Sequence, residues 1–130
     1  TTALYATLAH LRTGLSNIVS VEDPVERIVP GVSQIPVKAK AGNTFPVVLR
    51  SMLRQDPNVI MVGEIRDAEV ATLIGQAAYT GHLVLSSVHT VDAATAITRL
   101  TNLGLEPFKV AECLSAVLPQ RLIRTLASTG

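Results

Sequence analysis

The sequence predicts an α/β domain with a mostly parallel sheet and helices on both faces. Three observations carry that expectation. Val59-Ile60-Met61-Val62 is an unbroken apolar run, the pattern of a strand buried on both faces of a parallel sheet. Leu83-Val84-Leu85-Ser86-Ser87 reads as a second such strand. Between and around them, apolar residues recur at helical spacing, bounded by residues that start and stop helices. Strands that alternate with crossover helices pair in parallel.

Taken in order, Leu4, Leu8 and Leu11 share one face of an opening helix, and Gly14 is placed to stop it. Asn17 to Val21 reads as a short strand leaving through Glu22-Asp23-Pro24. Residues 25–40 contain Pro30-Gly31 between two alternating stretches, which suggests a hairpin or an extended insertion. Thr44 is set to cap a helix whose apolar face is Phe45, Val48, Leu49, Met52 and Leu53. After the strand at 59–62, Asp67 caps a helix with Val70, Leu73, Ile74, Ala77 and Ala78 inward, and Gly81 ends it. The strand at 83–87 leads to His89. Asp92 then caps a helix with Ala93, Ala96, Ile97 and Leu100 on its face, closed by Gly104. Pro107 opens a last helix expected to run to Leu118, before Pro119.

The chain has 130 residues, 48% of them hydrophobic, enough for one domain with a buried core. A net charge of +1, from 11 basic and 10 acidic residues, argues against electrostatic binding of nucleic acid or anionic membrane. Aromatic residues are only 3%, with no Trp, so stacking platforms for single strands are scarce. Cys113 is the single cysteine, which excludes an internal disulfide and suits a reducing, cytoplasmic compartment. Neither a signal peptide nor an apolar run of the roughly 18–20 residues needed to span a bilayer is visible. A helix that opens at the first residue, with no strand before it, reads as a piece cut from a longer protein.

In a parallel sheet all strand C-termini share one edge, where open α/β sheets bind ligands. Here the strands deliver Glu22 and Asp23, then Glu64, then His89, while His82 stands at the start of its strand. Glu64 after Val62-Gly63 has the form of the acid that works on Mg²⁺ in P-loop nucleotidases. Phosphoryl transfer to water needs a carboxylate to position the water, another to hold the metal's shell, and a donor near the γ-phosphate. It also needs a glycine-rich phosphate cradle ending in Gly-Lys-[Ser/Thr]. These 130 residues contain none; they open on Thr1-Thr2, as a cut just after such a Gly-Lys would leave them.

Glu22-Asp23-Pro24-Val25-Glu26, Leu49 through Pro57, Val62 through Asp67 and Thr80 through Thr90 occur in this order. The series resembles the secretion ATPases of type II secretion and type IV pilus assembly, which are hexameric RecA-like P-loop motors. The likeness runs through Gln120-Arg121-Leu122-Ile123-Arg124. It implies a single partial RecA-like domain over 1–130, from just after Walker A to beyond the histidine box. It further implies an aspartate box of Glu22, Asp23 and Glu26, with Glu22 as the water-activating base. By the same resemblance Glu64 is the Walker B acid, and His82 and His89 form the histidine box, His89 sensing the γ-phosphate. Thr1 would ligate Mg²⁺ with Thr2 beside it, and the cofactors would be ATP and Mg²⁺. The implied assembly is a homohexamer, cytoplasmic and peripheral to the inner membrane through platform and docking proteins, with no nucleic acid. Many assembly members carry paired zinc cysteines after the segment matching Arg124-Thr125-Leu126. Ala127 stands where the first would fall, so no zinc site is expected. Without the glycine-rich loop the 130 residues alone should be inactive; the competing reading is a non-catalytic oligomerisation module of the same fold.

Each of these residues also admits a plainer role. Glu64 can simply pair with Arg66, and Glu22 and Asp23 can cap the turn before Pro24. Asp67 suits a helix cap better than a catalyst. A metal site from His82, His89 and Glu64 is disfavoured for want of an i, i+4 pair. Arg50 and Arg54 suit a solvated or intersubunit face, and Cys113 a small core position.

Overall fold

A computed structural model describes residues 1–124; Ala127, and with it the expected absence of zinc ligands, lies outside the described residues. The elements are α1 (Thr2–Leu11), β1 (Ile18–Glu22), β2 (Ser33–Pro36), α2 (Phe45–Leu53), β3 (Val59–Val62), α3 (Ala68–Tyr79), β4 (Leu83–Ser86), α4 (Ala93–Asn102) and α5 (Pro107–Cys113), with a 3₁₀ turn at Ala39–Ala41. The strands form one sheet in the order β2-β1-β3-β4, and every pairing is parallel. The α/β class with a parallel sheet is as expected.

Helices cover both faces because the central strands alternate between two cores. Val19, Val21, Ile60 and Val62 pack with Phe45, Leu49 and Met52 of α2 and with Val70, Leu73 and Ile74 of α3. Ile18, Val59 and Met61 point to the other face, against Tyr5 and Leu8 of α1 and Val29. β1 and β3 are buried along their whole length, which explains why no polar alternation marks them.

Four local expectations are corrected. Of the two readings of residues 25–40 the hairpin falls and the extended insertion stands: β2 lies parallel to β1, pairing Val19 with Ser33 through Glu22 with Pro36, so the chain has to return along the surface before pairing. β4 is only half-buried, with Leu83 44% exposed, because among the described residues it pairs with β3 alone. Thr44 occupies the N-cap position of α2, but its side chain makes no capping bond. Helix α5 stops at Cys113, where Leu114 turns extended and packs against the larger core instead of continuing the helix.

Asp67 caps α3 as expected, accepting from the Val70 N–H at 2.9 Å. Asp92 caps α4 through a reciprocal box: it accepts from the Thr95 N–H at 2.8 Å, while the Asp92 N–H donates to the Thr95 hydroxyl at 3.3 Å. Gly81 and Gly104 follow α3 and α4 at positive φ, +97° and +94°, where a side chain is disfavoured. On α4 only Ala96 and Leu100 are buried, while Ile97 is 49% exposed. The helix covers a narrower stripe than its apolar pattern suggests.

Leu100→Ala should therefore destabilise the fold by about 2–5 kcal/mol, and Ile97→Ala by less than about 1 kcal/mol, measured by urea denaturation. Equal costs would contradict this packing. The Asp92 carboxyl is held below the ordinary carboxylate range, first by the Thr95 N–H and next by the Thr95 hydroxyl. A depressed folded value means the cap contributes fully above the unfolded aspartate pKa and is lost as pH falls through the folded one. Amide exchange in α4 should accelerate over that acid window in the unsubstituted protein. In Asp92→Asn, which keeps a neutral cap, that acceleration should flatten.

Candidate functional site

The register sets the site. Val21 aligns with Val62, and Val62 with Ser86, so Glu22, Gly63-Glu64 and Ser87 leave the sheet at one edge. Hydrogen bonds continue the ladder past the strand ends. The Gly63 N–H donates to Val21 O at 2.9 Å and the Ile65 N–H to Ser87 O at 3.0 Å. The hydroxyls of Ser86 and Ser87 donate to Val62 O and Gly63 O, each at 2.7 Å. Glu64 and His89 are thereby held side by side.

Glu22 is 3% exposed. Alternation along β1 points Ile18, Ser20 and Glu22 toward α1, and the polar pair meets partners there. Glu22 Oε2 accepts from the Tyr5 hydroxyl. Oε1 accepts from the Ser20 hydroxyl at 2.6 Å and from Gln34 Nε2 at 3.0 Å. Three donors thus satisfy a buried carboxylate without a countercharge. Burial, and then the bond to Glu22, push the Tyr5 phenol above its ordinary pKa, so it stays a donor.

Glu64 is only partly covered. Arg66 Nε donates to Glu64 Oε1, His89 Nε2 lies 3.0 Å from Glu64 Oε2, and Arg66 Nη1 lies 3.2 Å from Asp23 Oδ2. The Arg66 guanidinium also sits 5.6 Å from the centroid of the buried Phe45 ring. The hydrogen bond from Arg66 is the largest influence on Glu64; with the His89 bond it outweighs burial and holds the carboxyl below its ordinary value. Glu64 is therefore an anion ready for a cation. Glu26, one loop away, has an exposed side chain with no hydrogen bond or ion pair among the described residues.

A cleft of about 190 Å³ gathers Thr1, Glu22, Asp23, Glu26, Glu64 and His89 along its wall. Two candidates lie elsewhere. Thr2 is exposed on the first turn of α1 and does not line the cleft. His82 precedes β4 at the opposite edge, its Nδ1 2.9 Å from Ala77 O and 3.1 Å from Thr80 Oγ1, where it closes the end of α3. A larger, mainly apolar groove of about 590 Å³ runs along β4 and α5 past Cys113, but holds none of Glu22, Glu26 or Glu64. Among the described residues, no group of three or more His, Cys, Asp or Glu could hold a metal unaided.

The profile of the family described as "Type II/IV secretion system protein" matches residues 1–130. The chain belongs to that family. The type II secretion system protein HxcR of Pseudomonas aeruginosa is 56% identical over 128 residues, covering 98% of this chain and 27% of the relative. The type IV pilus assembly ATPase PilB of Thermus thermophilus is 51% identical over 120 residues, covering 92% of this chain and 14% of the relative. Among solved structures, the pilus retraction motor PilT with bound ADP superposes with a TM-score of 0.74 at 32% identity, over 85% of this chain and 33% of that one. The chain thus spans about a quarter of the type II secretion relatives it matches. Its parallel sheet is covered by helices on both faces, and none of its described helices is long and apolar enough to cross a membrane.

Sequence reading missed Tyr5 and Gln34. Tyr5 lay hidden beside the more obvious stripe of Leu4, Leu8 and Leu11. The available signal was Ser20 and Glu22 at alternate positions of an otherwise apolar strand: polar groups on a buried face require partners. Ser20→Ala should destabilise the fold by about 1–3 kcal/mol, because it strips a donor from a buried acid. Asp23→Ala, which breaks an exposed pair, should cost under about 1 kcal/mol. Chemical denaturation of both variants tests the difference.

Proposed function

We propose that the complete protein hydrolyses ATP with Mg²⁺, as the motor of a type II secretion or type IV pilus machine. The observation that carries this reading is the cleft at the C-terminal edge of the sheet, where Thr1, Glu26, Glu64 and His89 meet. The names of its relatives, a pilus assembly ATPase and a retraction motor with bound ADP among them, point the same way.

The donors fit the group. Thr1 lines the cleft at the N-cap position of α1, and its hydroxyl makes no capping bond there, which leaves that oxygen for a metal. A hydroxyl and the Glu64 carboxylate are hard oxygen donors of the kind Mg²⁺ prefers, and phosphate oxygens and water supply the rest of its shell. The bound metal would neutralise charge on the transferring phosphoryl group. Glu64 would hold that shell, with Arg66 and His89 fixing its two oxygens. His89, 90% exposed along its side chain yet joined to Glu64, would sense the γ-phosphate.

The water-activating base is better assigned to Glu26 than to Glu22. Glu22 has both oxygens engaged by three donors and is only 3% exposed, which leaves its carboxylate little access to a water in the cleft. Glu26 lines the same cleft with its carboxylate unengaged. It would take the proton from the water that attacks the γ-phosphorus. Asp23 would serve by keeping Arg66 in place. The hexameric state, the membrane platform and docking partners, and a cytoplasmic position at the inner membrane complete the proposal, on the strength of family membership alone.

In the full-length protein, Glu26→Gln and Glu64→Gln should each lower ATP turnover by about 100-fold or more. Steady-state phosphate release checks this. Near wild-type rates in both variants would overturn the reading.

A further inference from the structure

The loop from Glu26 to Val29 has no regular structure, yet its backbone is held at four points by two side chains. The Tyr5 hydroxyl accepts from the Glu26 N–H at 3.0 Å and from the Arg27 N–H at 3.3 Å, while donating to Glu22. A phenol has one hydrogen to give and two lone pairs to offer, so its capacity is filled. Gln34 takes the other side: Nε2 donates to Arg27 O at 2.9 Å, and Oε1 accepts from the Val29 N–H at 2.6 Å. Glu22 accepts from both Tyr5 and Gln34 and so joins the two clamps. The Tyr5 ring is 5% exposed and packed with Leu8, Ile18, Val29 and Met61, which leaves the hydroxyl little room to wander. Tyr5 also belongs to α1, the helix that begins at Thr1 on the cleft wall.

We infer that Tyr5 is a positioning residue for the hydrolytic step: its hydroxyl clamps the Glu26 and Arg27 amides to α1 and so sets where the Glu26 carboxylate stands relative to Thr1. The inference rests on the assignment of Glu26 as the base. It differs from a purely structural role because the clamp acts on the backbone of the reacting residue. A shift of about 1 Å in a reacting group can cost on the order of 100-fold in rate, whereas the Thr1 and Glu64 oxygens proposed to hold the metal lie outside this loop.

The test is a double-mutant cycle in the full-length protein, read by single-turnover and steady-state ATP hydrolysis. Tyr5→Phe keeps the ring and removes all three hydrogen bonds. It should lower kcat by about 10-fold or more with KM for ATP changed by less than about 3-fold. In a Glu26→Gln background the same change should add less than about 2-fold, because a residue acting through Glu26 has nothing left to position. A fully active Glu26→Gln protein overturns the base assignment and this inference with it. A crippled Glu26→Gln protein alongside a full-rate Tyr5→Phe protein, or losses that simply multiply, overturns the inference alone. Should Tyr5→Phe fail to fold, hydrogen exchange in the unsubstituted protein decides. Protected amides at Glu26 and Arg27 uphold the clamp, and exchange at unprotected rates overturns it.

Discussion

A carboxylate buried without a cation is costly unless hydrogen bonds replace the water it has lost. Glu22 meets that requirement with three donors drawn from three places: Tyr5 on α1, Ser20 on β1 and Gln34 on β2. The rest of the site-bearing edge depends on this arrangement. It ties the helix on one face of the sheet to two strands beneath it, and through Tyr5 and Gln34 it reaches the irregular loop that follows β1. An apolar residue at the same place would pack against α1 but could not organise that loop.

The engaged acids of the cleft live under two electrostatic regimes. Glu22 is enclosed and answered by neutral donors, where an ion pair would have needed both charges desolvated. Asp23 and Glu64 lie nearer to solvent and share one guanidinium, Arg66, steadied by the face of Phe45. Paired at the surface, such charges add little to stability, but they orient Glu64 and keep it ionised.

Much of this was legible from residue pattern. The apolar run at 59–62 and the caps Asp67 and Asp92 are local signals, and the structure follows them closely. The shared edge of Glu22, Glu64 and His89 followed from parallel pairing alone. Less legible were features set by position in the sheet. Nothing local tells that β4 comes last among the described strands, that β2 pairs in parallel, or that Leu114 leaves its helix to reach the core. Tyr5 and Gln34 were hidden for a related reason. Tyr5 reaches amides 21 and 22 positions away, and Gln34 reaches Glu22 across 12 positions, and no periodicity records a long-range hydrogen bond. The different settings of Glu22 and Glu26, one buried and one exposed though four positions apart in one motif, are likewise not written in residue type.

The closed network around Glu22 also bears on how such a sequence can change over generations. Losing one partner of a buried polar cluster strands the others, while replacing all of them with apolar groups of similar shape can be nearly neutral. Positions 5, 20, 22 and 34 sit on three separate elements, yet they are bound to one another as tightly as the letters of a single word. Descendants of this chain would keep the four together or exchange them together, and the intermediate spellings would be the ones selection removes.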